Sequence, residues 1–387
     1  MHTHIKSVLV ATTLALPGLA QAQFATHTVA TEIRFGYQVL ITDLNNDGRP
    51  DLIGLGAQMP ELLWFENPGW ERHVIAADMS GMINANAADL DGDGIPEIAL
   101  AYGFGITGAN STGDIAILRH DGDPTRPWTL QQIDAIPTAH RIRFADIDGN
   151  GEPVLVVAPI LNEKAESQAD PDRLPTPLLV YRPGSWEREL VTQENRGVVH
   201  GLLPWDLDGD GRDEILTAGR QGIFSHRPGA DGSWIRTQLS GGKAGDYPDG
   251  GSSDVSAGVF GGEPFFAAIE PFHGNEVVVY RKGAGDAWTR QVIDTELVNG
   301  HSLVVADLDG DGNGEIVAGG TRGPKNLYLY RATDADGTRW ERSIIDDAIA
   351  ANGCEAADIN GDGRIDISCI DNAAPNDLKW YENTGDW

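Results

Sequence analysis

The side chains with the most chemistry in this 387-residue chain fall into two sets, one rich in carboxylates and one rich in imidazoles. The carboxylates sit in a nine-residue pattern that returns six times: DLNNDGRPD (Asp43 to Asp51), DLDGDGIPE (Asp89 to Glu97), DIDGNGEPV (Asp146 to Val154), DLDGDGRDE (Asp206 to Glu214), DLDGDGNGE (Asp307 to Glu315) and DINGDGRID (Asp358 to Asp366). Oxygens at the first, third and fifth positions can converge on one hard cation. These are Asp43, Asn45 and Asp47; Asp89, Asp91 and Asp93; Asp146, Asp148 and Asn150; Asp206, Asp208 and Asp210; Asp307, Asp309 and Asp311; and Asp358, Asn360 and Asp362. The glycine at the sixth position allows a sharp turn, the seventh offers a backbone carbonyl, and the ninth (Asp51, Glu97, Glu214, Glu315 or Asp366) a closing carboxylate, which is EF-hand ligand logic on a shorter loop. Calcium is the expected ion, with a structural role; Asx-rich hairpin turns that need no ion are the alternative. The third copy has Val154 where the closing carboxylate belongs, which weakens that site.

The loops belong to a larger repeat. Trp70, Trp128, Trp186, Trp234, Trp288 and Trp340 recur every 48 to 58 residues, and each opens a similar segment: WERHVIA, WTLQQID, WERELVT, WIRTQLS, WTRQVID and WERSIID. Before each lies a second alternating segment ending in a turn, such as ELLWFENPG or EVVVYRKGAG, and upstream two further apolar strands flank the acidic loop. Alternation bounded by Gly, Pro, Asp and Asn reads as hairpins. Four strands per unit at this period read as propeller blades. The expected fold is all-β, a seven-bladed propeller of four-stranded antiparallel blades. The seventh unit ends at its third strand (DLKWYENTGDW), so FATHTVATE near the N-terminus is expected to supply the fourth and close the ring. The fifth blade has only FGGEP in place of the acidic loop.

In such a blade the loop between the first and second strands points to one face, and functional residues are sought on the other. Counting back six residues from the first aspartate of each loop marks the start of the innermost strand. The residues there are Tyr37, Ile83, His140, His200, His301 and Asn352, with Asp254 in the fifth blade. His273, in the EPFHGNE turn of the fifth blade, should reach the same face. His140, His200, Asp254, His273 and His301 are then a ligand set for zinc or a similar divalent ion. Arg34, Tyr37, Arg141, Lys243, Tyr247, Arg220 and Arg322 are expected nearby and would suit an oxygen-rich or anionic ligand such as a sugar. The alternative is a wet channel mouth with simple polar lining.

Residues 1–22 read as a signal peptide: Lys6, an apolar run from Val8 to Leu16, and Ala20 and Ala22 at the cleavage pattern. Residues 23–387 are the propeller, expected in the periplasm or outside the cell, as a monomer and without a membrane anchor. The net charge of −30, from 58 acidic against 28 basic residues, argues against nucleic-acid binding. Cys354 and Cys369 flank the last acidic loop at nearly matching distances, and either a disulfide or two buried thiols fits that spacing.

The loops resemble the FG-GAP/VCBS repeats of secreted propellers. ELLWFENPGWERHVIA, HRIRFADIDGNGEPVLVVAPIL, GSSDVSAGVF, AAIEPFHGNEVVVYR, GHSLVVADLDGDGNGEIVAGGTRGP and NDLKWYEN further resemble the propeller domain of the aldos-2-ulose dehydratase family, whose members eliminate water from keto-sugars. The resemblance implies a divalent metal on the propeller, at His140, His200, His273 and His301. The family's fungal enzymes carry cupin domains after the propeller, whereas this sequence stops at Trp387, so the activities of those domains, isomerisation included, are not expected here. Asp254 stands where the family leads one to expect a longer glutamate. The expected activity is that of a carbon–oxygen lyase on a sugar or keto-sugar, with His273 or His200 handling protons or metal and Tyr37 or Arg34 assisting the leaving group. The alternative is a non-catalytic propeller that binds carbohydrate or a protein partner.

Overall fold

The computed structural model describes residues 23–168, 174–283 and 287–387. The signal peptide expected over residues 1–22 lies outside the described residues. The described chain forms seven four-stranded antiparallel sheets, each called here a blade with strands A to D from the axis outward. Strands A are Gly36–Thr42, Asn84–Ala88, Ala139–Ala145, Val199–Trp205, Asp254–Phe260, Gly300–Ala306 and Ala351–Ala357. In blades 1 to 6 the four strands follow in chain order. In blade 7, Phe24–Ala30 pairs with Leu378–Asn383, from Phe24↔Asn383 to Ala30↔Leu378. The N-terminal strand therefore closes the ring and leaves no sheet edge where the chain ends meet.

The strand patterns follow from position in the ring. Strand B is sandwiched between neighbouring blades and is buried along its whole length in DLIGLG, VLVVAP, EILTAG, EIVAGG and DISCID. A strand covered on both faces reads as continuous rather than alternating apolar. Strand D faces solvent and is largely exposed, as in Thr129–Ala135. Tyrosines on strand C tie blades together. Tyr181, Tyr330 and Tyr381 donate to Asp134, Asp294 and Asp346 at the end of strand D in the preceding blade, at 2.6, 2.6 and 2.9 Å. These buried hydroxyls are thereby satisfied.

Two local expectations are refined. Trp70 and Trp186 precede their D strands in left-handed conformation (φ 57° and 51°), closing i→i+4 turns onto Glu66 and Arg182, so the strands begin after them. Cys354 and Cys369 are directly opposed on strands A and B of blade 7, with Cα atoms 4.2 Å apart, and are joined in a disulfide. Blade 5 replaces the acidic loop with Gly261–Gly262, both at positive φ (62° and 80°), the two-residue turn that strand twist favours. Among the described residues no helix is long and apolar enough to cross a membrane.

Candidate functional site

At the loop end of the ring, all six acidic loops share one internal bond. The first-position aspartate accepts the sixth-position glycine N–H at 2.8–3.0 Å: Gly48 to Asp43, Gly94 to Asp89, Gly151 to Asp146, Gly211 to Asp206, Gly312 to Asp307 and Gly363 to Asp358. Candidate ligand oxygens gather within 4.8 Å of one another in Asp89, Asp91 and Glu97, in Asp206, Asp208 and Asp210, and in Asp307, Asp309 and Asp311. The donor set is all oxygen and anionic, which fits calcium.

The ninth position bonds the loop backbone. Asp51, Glu97, Glu214, Glu315 and Asp366 are buried and accept the N–H of the loop's second residue, at 2.8–3.0 Å. In Asp51 and Asp366 the other oxygen accepts the N–H of Asn67 or Asn383, each at 2.8 Å. These two shorter side chains staple the hairpin through both oxygens. Burial pushes both up to about 6, and Glu315 to about 7. In the third loop, which lacks a ninth carboxylate, Asp213 of blade 4 accepts the N–H of Asp146 at 2.8 Å.

At the opposite end the geometry is set by irregularities in strand A. The A–B register skips one residue in blades 1, 3, 4, 6 and 7, and the skipped residues are Tyr37, His140, His200, His301 and Asn352. A bulge adds a residue to one strand and re-aims its side chain. Here five bulges at the same level turn these side chains into the axial mouth. Blades 2 and 5 run without a shift.

The mouth is a cavity of about 320 Å³ lined by Tyr37, His140, His200, His273, His301 and Asn352, with Phe35, Phe104, Ile106, Asn299, Thr321 and Arg322 around them. The nitrogens of His200, His273 and His301 lie within 4.8 Å of one another. His301 Nδ1 donates to the Asn352 carbonyl at 2.6 Å, and His200 Nδ1 to the Ser253 carbonyl at 3.2 Å. Those bonds leave both Nε2 lone pairs facing inward, the arrangement metal-binding imidazoles use. His200 and His273 present Nε2 to Nε2 at 3.3 Å, an approach that a shared cation satisfies. Burial lowers the pKa of His140, His200 and His301 well below the usual value, and Arg141 adds to the effect. His273 is lowered to about 4 by burial, then by Arg141 and Arg322. All four imidazoles are therefore neutral near pH 7, which is the ligating form.

His140 stands apart from the three. Its Nε2 bonds Tyr37 Oη at 2.7 Å, while its Nδ1 is buried without a partner. Tyr37 Oη also lies 3.4 Å from His301 Nε2, and the Arg141 guanidinium sits 5.6 Å from the Tyr37 ring. Burial raises the phenol's pKa.

Several expected residues fall outside the mouth lining. Asp254 lines an adjoining space of about 120 Å³ in the channel, with Arg141, Arg143 and Glu355, that shares Tyr37, His301 and Asn352 with the mouth. Blade 5 has no bulge, so Ser253 takes the mouth level instead, its Oγ 3.3 Å from His200 Nδ1. Asp254 drops beside Gly201, where an added Cβ would lie 3.1 Å from its Oδ1, and burial pushes it up to about 6. Arg34 is exposed and outside the mouth; its neighbour Phe35, at φ 52°, reaches the rim. Lys243 pairs with Glu276 at 2.8 Å, and Arg220 stacks over Tyr247, so these three do not line the cavity. Phe35, Phe104, Asn299 and Thr321 were missed, although Phe35 and Asn299 share a repeat position two residues before Tyr37 and His301, which counting back eight rather than six residues from the loops would have marked. The bulge itself left one signal, an odd residue between two that keep the ladder alternation.

The fold is a seven-bladed β-propeller; residues 43–100 and 308–369 match the FG-GAP-like repeat, and residues 112–283 match the β-propeller domain of aldos-2-ulose dehydratase. Over 296 residues the chain is 27% identical to aldos-2-ulose dehydratase of Phanerodontia chrysosporium, covering 68% of this chain and 32% of that enzyme. The chain thus spans about a third of that relative's length. Among solved structures, an Agrocybe aegerita lectin that recognises non-reducing terminal N-acetylglucosamine aligns with TM-score 0.50 and 14% identity over 81% of each chain. Rhamnogalacturonan lyase YesW aligns with TM-score 0.48 and 14% identity, over 90% of this chain and 72% of that one. At these identities the structural likeness concerns the fold alone.

Proposed function

We propose that this protein is a secreted, calcium-stabilised propeller that acts as a carbon–oxygen lyase, eliminating water or an alcohol from a sugar or keto-sugar in the axial mouth. The observation that carries the reading is the convergence of His200, His273 and His301 beside a hydrogen-bonded Tyr37–His140 pair. The similarity to the dehydratase's propeller domain, whose matched segment holds His140, His200 and His273, supports the same reaction class.

His200, His273 and His301 would hold zinc or a similar divalent ion. Such an ion, when bound, supplies Lewis-acid polarisation of a carbonyl oxygen. The sequence suggested His273 as proton acceptor; its nitrogen instead belongs with those of His200 and His301, and the proton work passes to Tyr37 and His140. β-Elimination needs a base for the α-proton and an acid for the leaving oxygen. Tyr37 Oη takes the α-proton as its own proton passes to His140 Nε2. The electrons of the broken C–H bond form the C=C bond, and the β C–O bond breaks with its electron pair on oxygen. The imidazolium proton returns through Tyr37 Oη to the departing oxygen. Water or an alcohol leaves, and both residues regain their starting states. Arg141, which helps hold the His140 pKa down, favours return of the imidazolium proton toward the departing oxygen. Asn299, Thr321 and Arg322 offer donors for sugar oxygens, and Phe35 and Phe104 apolar faces for the ring.

The test is to incubate the purified protein with keto-sugars and uronate polymers and follow the ultraviolet absorbance of new unsaturated products. It is repeated with His200→Ala and after chelation. The reading predicts a product that chelation and His200→Ala abolish. No product from any substrate, together with no transition metal by elemental analysis, would leave the non-catalytic binding module.

A further inference from the structure

The six acidic loops divide into two kinds when each is read with the strand beside it. In blades 2, 3, 4 and 6 the third loop residue is an aspartate (Asp91, Asp148, Asp208, Asp309), and the matching place at the end of strand C is an arginine: Arg119, Arg182, Arg227 or Arg331. Arg182 Nη1 meets Asp148 Oδ2 at 2.7 Å, and Arg119 Nη1 meets Asp91 Oδ2 at 3.8 Å. In blades 1 and 7 both positions change together. The loop residue is Asn45 or Asn360, and the strand residue is Glu66 or Glu382.

The exchange has a geometric consequence. Asn45 Nδ2 donates to Glu66 Oε1 at 3.2 Å, and Glu66 Oε2 accepts from His73 Nε2 at 2.9 Å. His73 lies against Trp64, with ring centroids 4.4 Å apart. Blade 7 repeats the arrangement from opposite ends of the chain. Asn360 Nδ2 donates to Glu382 Oε1 at 3.4 Å and to Asp362 Oδ2 at 3.3 Å, Glu382 Oε2 accepts from His27 Nε2 at 2.9 Å, and His27 stacks on Trp380 at 4.5 Å.

A carboxamide, unlike a carboxylate, has only one oxygen, so it can serve a cation in one of its two flipped orientations. A carboxylate placed against Nδ2 selects that orientation. Asn45 Oδ1 and Asn360 Oδ1 are accordingly turned into their loops, where they accept the N–H of Asp47 and Asp362 at 3.1 and 3.0 Å. Aspartate needs no such selection, because its oxygens are equivalent.

We propose that Glu66 with His73, and Glu382 with His27, are positioning pairs that hold Asn45 and Asn360 as oxygen ligands for calcium in blades 1 and 7. The inference rests on the calcium reading of the loops, and calorimetric titration of calcium into the full-length mature protein after dialysis against chelator tests it. In Glu66→Gln/Glu382→Gln, two binding events should weaken about 10-fold or more while the others keep wild-type affinity. The melting temperature in chelator should stay at the wild-type value. Adding Asn45→Asp/Asn360→Asp to that variant should restore binding. Wild-type affinity for every event in the Gln variant, or a fall in melting temperature that is the same with calcium as with chelator, would overturn the proposal. A wild-type protein that takes up no calcium would instead overturn the loop reading, and that failure shows in the wild type alone.

Discussion

The two ends of the ring are built by opposite means. At the loop end, one nine-residue pattern is copied with the same Asp-to-Gly bond in each of six blades, so each blade carries its own site. At the mouth no blade carries a site. Single residues from five bulged strands and one turn meet at the axis, and the repeat only fixes their level. Copied sites suit a task that every blade shares, such as neutralising crowded carboxylates. A composite site suits one reaction, because side chains brought together from several blades can divide the work.

This contrast predicts that damage at one end leaves the other intact. The largest effect is expected from His200→Ala, which should lose the mouth metal and roughly 100-fold or more of any lyase activity. Its melting temperature in calcium should change little, as differential scanning calorimetry would check. Tyr37→Phe should lower kcat by about 100-fold and leave the metal content unchanged; loss of metal from this variant would place Tyr37 among the ligands instead. Chelation that strips calcium should act the other way, on stability. Each loop contributes about 2.7 kcal/mol when calcium exceeds its Kd 100-fold, so a melting temperature indifferent to chelator would break the comparison. Asp254→Asn should keep the mouth metal, because Asp254 lies outside the mouth lining; elemental analysis of the variant decides this.

The smallest effect concerns Glu355 in the channel. Burial pushes its carboxyl up to about 7, with Arg143 opposing. A folded-state value raised above the unfolded one means that the unfolded chain loses this proton first. The group therefore costs stability as pH rises from the ordinary glutamate range through about 7. Glu355→Gln should melt higher than wild type at pH 8 and equal to it at pH 5. Equal melting at both would contradict the placement.

The difference between the ends also explains what the sequence revealed. The blade count, the closing N-terminal strand and the acidic loops were legible because periodic spacing records them directly. The histidine level was legible for the same reason, since counting from the loops follows strand A. That ruler failed in blade 5, where no bulge absorbs a residue, and so Asp254 was set one level too high. Arg34 failed for a related reason: backbone at positive φ in Phe35 turns the chain just before strand A. The backbone bonds of the loops' ninth residue were not legible, because spacing records the carboxylate and not the N–H groups it meets. The rim residues Phe35 and Asn299 lie within reach of the same ruler, two residues before the histidine level, but the residue type there changes from blade to blade and carries no chemical signature.

The most direct test of the account is X-ray absorption at the edge of whatever transition metal co-purifies with the protein. Three-imidazole ligation, with metal–nitrogen distances of about 2.0–2.1 Å that vanish in His200→Ala, is the predicted result. An all-oxygen shell, or a spectrum unchanged by His200→Ala, would contradict it.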